Sequence, residues 1–359
     1  MNPIVVLADD LSGAAELAGI AVARGYSAEV QRGFLPGSMA EVIAIDTDSR
    51  SLAVDSAAAR VAEVTREVLA IAPAWIYKKV DSVLRGNVRA EIEAILHATG
   101  QPRAMLIPAN PSRGRTIVGG RYLVGGVPLS ATSFAADPEF PRRSALIADM
   151  LEGSTSAPSQ IDVPDVRASS DVSHFAANLP PDTLAAGAAD FFAALLAERS
   201  HEQASPSPIR APAIHLPAVL VCGSRQAWNE RKRQCLAMEI PYFEVGDRPR
   251  SEAIAIDRGV LALGIAEDAA GTPADLLAKL ASEVLKVVKP SLATLLAEGG
   301  ATAEALAHRL GWQRLTVVGP LAEGVGALRP LDHPFAPLFV IKPGSYAWPP
   351  AVWESLRSG

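Results

Sequence analysis

The chain has 359 residues, 49% hydrophobic and 20% charged, with a formal net charge of -6. That length predicts two domains, at about 100–200 residues each. The negative balance argues against nucleic acid or an anionic membrane as partner, and two cysteines, Cys222 and Cys235, without a CxxC pair exclude a disulfide scaffold or zinc module.

Ile4 to Ala8 is a short apolar run ending in Asp-Asp-Leu-Ser-Gly, and Ala14 to Arg24 then reads as a helix. Val42 to Ile45 is a second strand, ending in Asp-Thr-Asp-Ser-Arg, with helical sequence from Val54 to Ile71. A third strand, Trp75 to Lys79, leads through Val-Asp-Ser-Val-Leu-Arg-Gly-Asn into a helix around Val88 to His97. A fourth, Ala104 to Pro108, ends in Ala-Asn-Pro-Ser-Arg-Gly-Arg. Repeated βα units with continuous apolar strands predict a parallel sheet covered on both faces. Gly119 to Pro141 reads as an irregular arm or hairpin, and Gly153 to Pro181 as a polar, weakly periodic stretch. Ala204 to Pro217 has linker composition. A second α/β layer follows, with strands at Ala218–Cys222, 294–296, 315–318 and 338–341, helices at about 226–238 and 273–286, and a further helix after Glu298-Gly299-Gly300-Ala301-Thr302 that runs to Leu310. The expected fold is therefore two α/β domains, each with a mostly parallel sheet and with the active site in the interdomain cleft. Residues 1–205 form the first domain, 206–217 the linker and 218–359 the second. The start of the chain carries Asp9 and Asp10 and no basic leader, and no apolar stretch approaches the roughly 20 residues of a membrane span. The expectation is a cytoplasmic protein.

Polar residues fall just after each strand of the first half, and open α/β sheets bind ligands beyond the carboxyl ends of their strands. This places Asp9, Asp10, Asp48, Arg50, Lys79, Asp81, Arg85 and Arg115 on one rim. Asp9-Asp10 has an ordinary reading as a helix cap, but two adjacent carboxylates exceed what one cap needs, and either can accept or orient a hydroxyl proton. Lys78 to Asn87 is the most informative stretch. A lysine after an apolar strand is costly to bury unpaired, Arg85 can grip a carboxylate with two hydrogen bonds, and Gly86-Asn87 turns into a helix start that favours anions. Its alternative is a solvated loop with an internal Lys–Asp pair. Arg113 and Arg115 divide, one toward a ligand and one toward solvent.

In the second half, Gly299-Gly300-Ala301-Thr302, Gly223-Ser224 and Gly344 each follow a strand, and glycine-rich strand ends before helices suit phosphates. There is no GxxxxGK[ST], no strand-linked GxGxxG, no HExxH and no GxSxG, which disfavours P-loop, dinucleotide, zincin and α/β-hydrolase chemistry. The six histidines carry no catalytic context.

Residues 8–14 (Ala-Asp-Asp-Leu-Ser-Gly-Ala), 78–87, 108–115 and 120–129, with Asp137-Pro138, resemble the four-carbon acid sugar kinase family. Cys222-Gly223-Ser224, residues 299–302 and Lys342-Pro343-Gly344 resemble that family's nucleotide-binding motifs. The resemblance implies an ATP-dependent kinase acting on the terminal hydroxyl of threonate, erythronate or a 3-oxo-tetronate, with ATP and Mg²⁺ as cofactors. Asp10, Asp81 and Lys79 then serve in catalysis, while Asp9, Arg50, Lys78, Ser82, Arg85, Asn87 and Arg115 hold the acid. Ser224, Gly299, Gly300, Ala301, Thr302 and Gly344 hold the nucleotide, and no side-chain metal site is expected. The partners are a sugar acid and ATP, not nucleic acid or membrane, with a homodimer as an allowed assembly. Two departures, Arg225-Gln226-Ala227-Trp228 after Ser224 and Pro343-Gly344-Ser345-Tyr346-Ala347 at the last motif, keep open an alternative. That alternative is a non-catalytic relative that binds sugar acid or nucleotide through a degenerate ATP site.

Overall fold

The computed structural model describes residues 2–137, 140–151, 160–199, 212–246, 259–288, 290–322, 324–344 and 346–357. The first half runs β1 (Ile4–Ala8), α1 (Leu11–Ala23), β2 (Ala28–Arg32), β3 (Val42–Asp46), α2 (Val54–Leu69), β4 (Trp75–Lys79), α3 (Val88–Thr99) and β5 (Arg103–Ile107). It continues through β6 (Arg115–Val118), β7 (Arg121–Val124), β8 (Val127–Pro128), α4 (Ile147–Met150), β9 (Ile161–Asp162), α5 (Ser169–Ala177), β10 (Thr183–Gly187) and α6 (Ala189–Arg199). The second half adds β11 (Ala218–Cys222), α7 (Arg225–Ala237), β12 (Tyr242–Val245), β13 (Val260–Ile265), α8 (Pro273–Val287), β14 (Thr294–Glu298) and α9 (Gly300–Leu310). It ends with β15 (Arg314–Ala322), β16 (Val325–Pro330), β17 (Leu338–Lys342) and α10 (Pro350–Arg357).

Two compact units result. One contains Met1–Asp9, Arg24–Tyr26 and Arg32–Ser205, the other Asp10–Ala23, Ser27–Gln31 and Pro206–Gly359. A sequential division at 206–217 does not contain this exchange: α1 and most of β2 group with the C-terminal half. The reason is in the side chains. Eleven of the thirteen α1 residues are buried, leaving almost no solvated face, and the helix packs on β15, β16 and α9. Strand β2 pairs antiparallel with β15, and its buried Glu29 accepts two hydrogen bonds from Arg314, at 2.7 and 3.0 Å. Residues 206–211 of the linker region, and 152–159 of the polar stretch, lie outside the described residues.

In the N-terminal unit the strand order is β3-β1-β4-β10-β5-β9, and all neighbours are parallel. Strand β1 is apolar throughout and fully buried, as a central parallel strand must be. Helix α2 is amphipathic: Ala57, Val61, Val64, Thr65 and Val68 form its buried stripe. Residues 115–128 form a separate small antiparallel sheet, β6-β7-β8, which realises the expected hairpin. Strand β10 and helix α6 enter late in sequence, yet β10 sits between β4 and β5. Phe191 and Phe192 of α6 then pack on Tyr77 of β4, with ring centroids at 6.2 and 5.1 Å.

In the C-terminal unit the order is β12-β13-β11-β14-β17-β16-β15-β2. The first five strands are mutually parallel and the last three turn antiparallel. Its core gathers Leu220, Trp228, Leu296, Val340 and Trp348. Among the described residues, no helix is long and apolar enough to cross a membrane.

Phe192 is fully buried against β4. Phe192→Ala is expected to lower the unfolding free energy by about 3–5 kcal/mol, and Phe192→Leu by less than about 1.5 kcal/mol, in urea titrations followed by circular dichroism.

Candidate functional site

Strand register sets the rim of the N-terminal unit. Ala8 stands beside Asp46 and Lys79, Lys79 beside Gly187, and Gly187 beside Ile107. The segments after β1, β3, β4 and β5 therefore leave the sheet at one edge, and most of the charged residues named from sequence converge there.

Asp9 and Arg50 make a two-pronged pair. Arg50 Nε donates to Oδ2 at 2.7 Å and Nη2 to Oδ1 at 2.8 Å. The Asp9 carbonyl also accepts the N–H groups of Ser49 and Arg50, fixing the loop after β3 against the end of β1. Gly86 follows closely, with φ +86°. A Cβ there would lie 3.3 Å from both Arg50 Cγ and Asp9 Oδ2, so a side chain is opposed by backbone conformation and by space. Asn87 ties the same loops together, its amide donating to the Leu52 carbonyl at 2.8 Å.

Asp81 caps its own turn. Its Oδ1 accepts the N–H of Val83 at 3.0 Å, and its Oδ2 accepts Arg85 Nη2 at 2.8 Å. Arg85 Nη1 also faces Asp137 at 3.4 Å. Arg115 is buried, donates from Nη1 to the Ser82 hydroxyl and lies 5.7 Å from the Phe134 ring centroid. Tyr122 donates its hydroxyl to the Ser82 carbonyl. Arg113, by contrast, is only half-buried.

Lys78 and Lys79 are adjacent on β4, so their side chains leave opposite faces of the sheet. Lys78 is completely buried and pairs with Glu91 of α3 at 2.5 Å. Glu91 also accepts from the Ser49 hydroxyl at 2.6 Å, and Ser49 meets Thr47 at 2.8 Å. Lys79 Nζ donates to the Val80 carbonyl at 2.9 Å.

Burial works against the charge of both Asp9 and Asp81, but neighbouring cations prevail. Arg50 and Lys78 hold Asp9 below the usual carboxylate range, and Arg85 and Arg50 hold Asp81 well below it. Burial raises the Tyr122 phenol, which stays neutral at any physiological pH.

The chain passes from one unit to the other between Asp9 and Asp10, and Asp10 caps α1 by accepting from Gly13 N–H and the Ser12 hydroxyl, both at 2.8 Å. The ordinary capping reading is realised by this residue, while Asp9 takes the arginine. In the C-terminal unit Asp10 lies against α9: a Cβ on Gly300 would run into its carboxylate.

Gly223, Gly299 and Gly344 follow the parallel strands β11, β14 and β17, whose last residues Cys222, Glu298 and Lys342 stand side by side. Helix α9 starts at Gly300 with Gly299 at its cap and no side-chain cap bond, which leaves backbone N–H groups at its first turn. Ala301 opens that turn. Ser224 caps α7 by accepting from Ala227 at 3.2 Å, and Thr302 accepts from Gly223 N–H at 3.1 Å. Beneath these loops Glu298 takes Arg231 at 2.8 Å, Trp348 at 2.9 Å and Lys342 at 3.2 Å. Burial lowers the Lys342 ammonium and pushes the Cys222 thiol up to about 12.

Sequence reasoning missed Glu91 as a member of these clusters, and used Tyr122, Asp137, Glu298 and Lys342 only as parts of motifs. Glu91 did carry a signal. It lies with Val88, Ile92 and Ile95 on the buried stripe of α3, where a carboxylate needs a buried cation.

A family model described as a sugar-binding N-terminal domain matches residues 4–194. The chain is 38% identical over 157 residues to a D-erythronate kinase of Heliobacterium modesticaldum, covering 42% of this chain and 36% of that protein. It is 36% identical over 151 residues to a D-threonate kinase of Salmonella typhimurium, covering 41% and 36%. These matches thus span about a third of each relative's length. Among solved structures, a Haemophilus influenzae protein from a family of unknown function superposes with a TM-score of 0.69 at 19% identity over 99% of both chains, a likeness of fold.

Glu91→Leu strands the Lys78 ammonium in the core and is expected to cost about 3–5 kcal/mol, most of it recovered in the double variant Lys78→Met/Glu91→Leu, as read by urea denaturation. Because the folded-state values of Asp9 and Asp81 are depressed, their contribution is complete above the unfolded carboxylate range. It is lost as pH falls from about 4 toward the folded values. Asp81→Asn should cost about 3 kcal/mol at pH 7 and flatten the fall of unfolding free energy below about pH 4.

Proposed function

The chain belongs to the sugar-binding N-terminal domain family, and from that membership we propose that it is an ATP-dependent kinase of four-carbon sugar acids. The substrate is threonate, erythronate or a 3-oxo-tetronate, phosphorylated on its terminal hydroxyl. The observation that carries this reading is the convergence of Asp9, Arg50, Lys79, Asp81, Ser82, Arg85 and Arg115 at the strand ends of the unit that the family model matches. A cluster rich in cations and hydroxyl partners suits a small polyhydroxy anion.

The residues divide the work. Asp81, held ionised, accepts the hydrogen bond of the reacting hydroxyl and orients it. Its low pKa makes it a poor store for the proton, and phosphoryl transfer depends mainly on positioning and charge neutralisation. Lys79 offsets charge that develops on the transferred group. Lys78, Asp9, Arg50 and Asn87 hold the loops around the ligand through the pairs described above.

ATP fits the C-terminal unit. The uncapped first turn of α9, with Gly299 at φ +96° and Gly344 close beside it, offers backbone donors to phosphates. Gly299, Gly300, Ala301 and Gly344 are the residues that would hold them, and Mg²⁺ bound with the nucleotide supplies further charge neutralisation. Asp10 borders the same turn.

A second reading, a sugar-acid binder without turnover, is favoured by one observation: the hydroxyls of Ser224 and Thr302 already serve within the unit, as helix cap and loop tie.

The two readings separate in one assay. With Mg-ATP and a panel of D-erythronate, D-threonate and 3-oxo-tetronates, the kinase releases ADP only when one of the acids is present, and Lys79→Met lowers turnover by about 10²-fold. Binding of an acid without ADP release selects the second reading.

A further inference from the structure

We propose that Arg142 is the side chain that receives the carboxylate of the bound acid, an assignment that rests on the N-terminal unit being the sugar-acid site. The arginines nominated from sequence as a carboxylate clamp already hold protein groups. Arg50 spends Nε and Nη2 on Asp9. Arg85 spends Nη2 on Asp81 and turns Nη1 to Asp137. Arg115 donates to Ser82 and lies over Phe134. For any of these to grip a ligand, a buried or half-buried carboxylate or hydroxyl has to give up its partner, at the full desolvation cost of the abandoned group.

Arg142 is differently placed. Among the described residues its guanidinium makes no hydrogen bond and no ion pair, and its Nε is buried without a partner. The side chain is only half-exposed, and burial lowers its pKa from the ordinary arginine value, as expected for a cation short of compensation. Its charge acts on Asp81, Arg85 and Asp137, which places it at the cluster. The backbone pins it there: Arg142 N–H donates to the Phe134 carbonyl at 3.0 Å, and the Phe134 ring faces Arg115. Asp137, which faces Arg85, accepts the Phe140 N–H at 2.8 Å. Arg142, tied through its backbone to Phe134, thus brings to the cluster a guanidinium whose Nε has no partner. A planar carboxylate answers that fork with two parallel charge-assisted hydrogen bonds.

The test is calorimetric titration of the full chain, without nucleotide, by D-erythronate, D-threonate and citrate, using native protein, Arg142→Gln, Arg142→Lys and Arg143→Gln. Arg143 is the exposed neighbour and controls for net charge. Arg142→Gln is expected to weaken binding of the acids by about 10- to 100-fold, with Arg142→Lys intermediate and Arg143→Gln unchanged. The urea midpoint of the ligand-free protein should not move, because the guanidinium holds no protein group. Binding by Arg142→Gln within twofold of native, or an equal loss in Arg143→Gln, overturns the assignment. The ADP-release assay separates this inference from the kinase reading. Binding lost in Arg142→Gln, with no ADP release by native protein, keeps Arg142 and removes the kinase. Turnover by native protein with an unchanged KM in Arg142→Gln does the reverse. A native chain that binds none of the three carboxylates overturns the Arg142 assignment, and the kinase reading is then decided by the ADP-release panel alone.

Discussion

Buried cations need partners, and the N-terminal unit is organised around finding them. Lys78 stands on an interior strand where water does not reach, and its ammonium persists there because Glu91 arrives from the first turn of α3. Glu91 in turn fixes Ser49, and Ser49 lies in the loop that presents Arg50 to Asp9. One ion pair thereby couples the helix after β4 to the loop after β3 and, through Asp9, to the end of β1. Removing either partner leaves an uncompensated charge in the core, a penalty far larger than an exposed ion pair is worth.

The same constraint leaves the carboxylates of the cluster already compensated for the anion proposed to bind there. Asp9 and Asp81 are held ionised by arginines, so their negative charge is already matched when a ligand arrives. Gly86 lets the chain pass close to the Asp9–Arg50 pair. Preorganisation of this kind would spare the proposed ligand the cost of assembling the site, with the guanidinium of Arg142 as its proposed point of attachment. In the C-terminal unit an analogous buried group, Glu298 with Arg231, Lys342 and Trp348, underlies the glycine loops and holds them at the strand ends.

Much of this was legible in the residues. Continuous apolar runs located β1, β4 and β11 at their observed bounds, and the polar residues after each strand located the rim. Strand β2 was not legible, because Ala-Glu-Val-Gln-Arg is polar; its Glu29 is buried only because Arg314, far away in sequence, meets it. The grouping of Asp10 with α9 was hidden for the same reason, since nothing local distinguishes Asp9 from Asp10. Only the packing of α1 on β15 and β16 separates them. The commitment of Arg50 and Arg85 to carboxylates was equally out of reach: a sequence shows that an arginine is present, not whether its donors are spent.

The central claim is that a sugar acid lodges at this cluster with its carboxylate on an arginine the protein has left uncommitted. A crystal structure of the chain with D-erythronate tests it most directly. The ligand carboxylate is expected about 2.7–2.9 Å from the Arg142 guanidinium nitrogens, with the Asp9–Arg50 and Asp81–Arg85 pairs intact. An acid bound away from Asp81 and Arg142, or one that displaces Asp9 from Arg50, would contradict it.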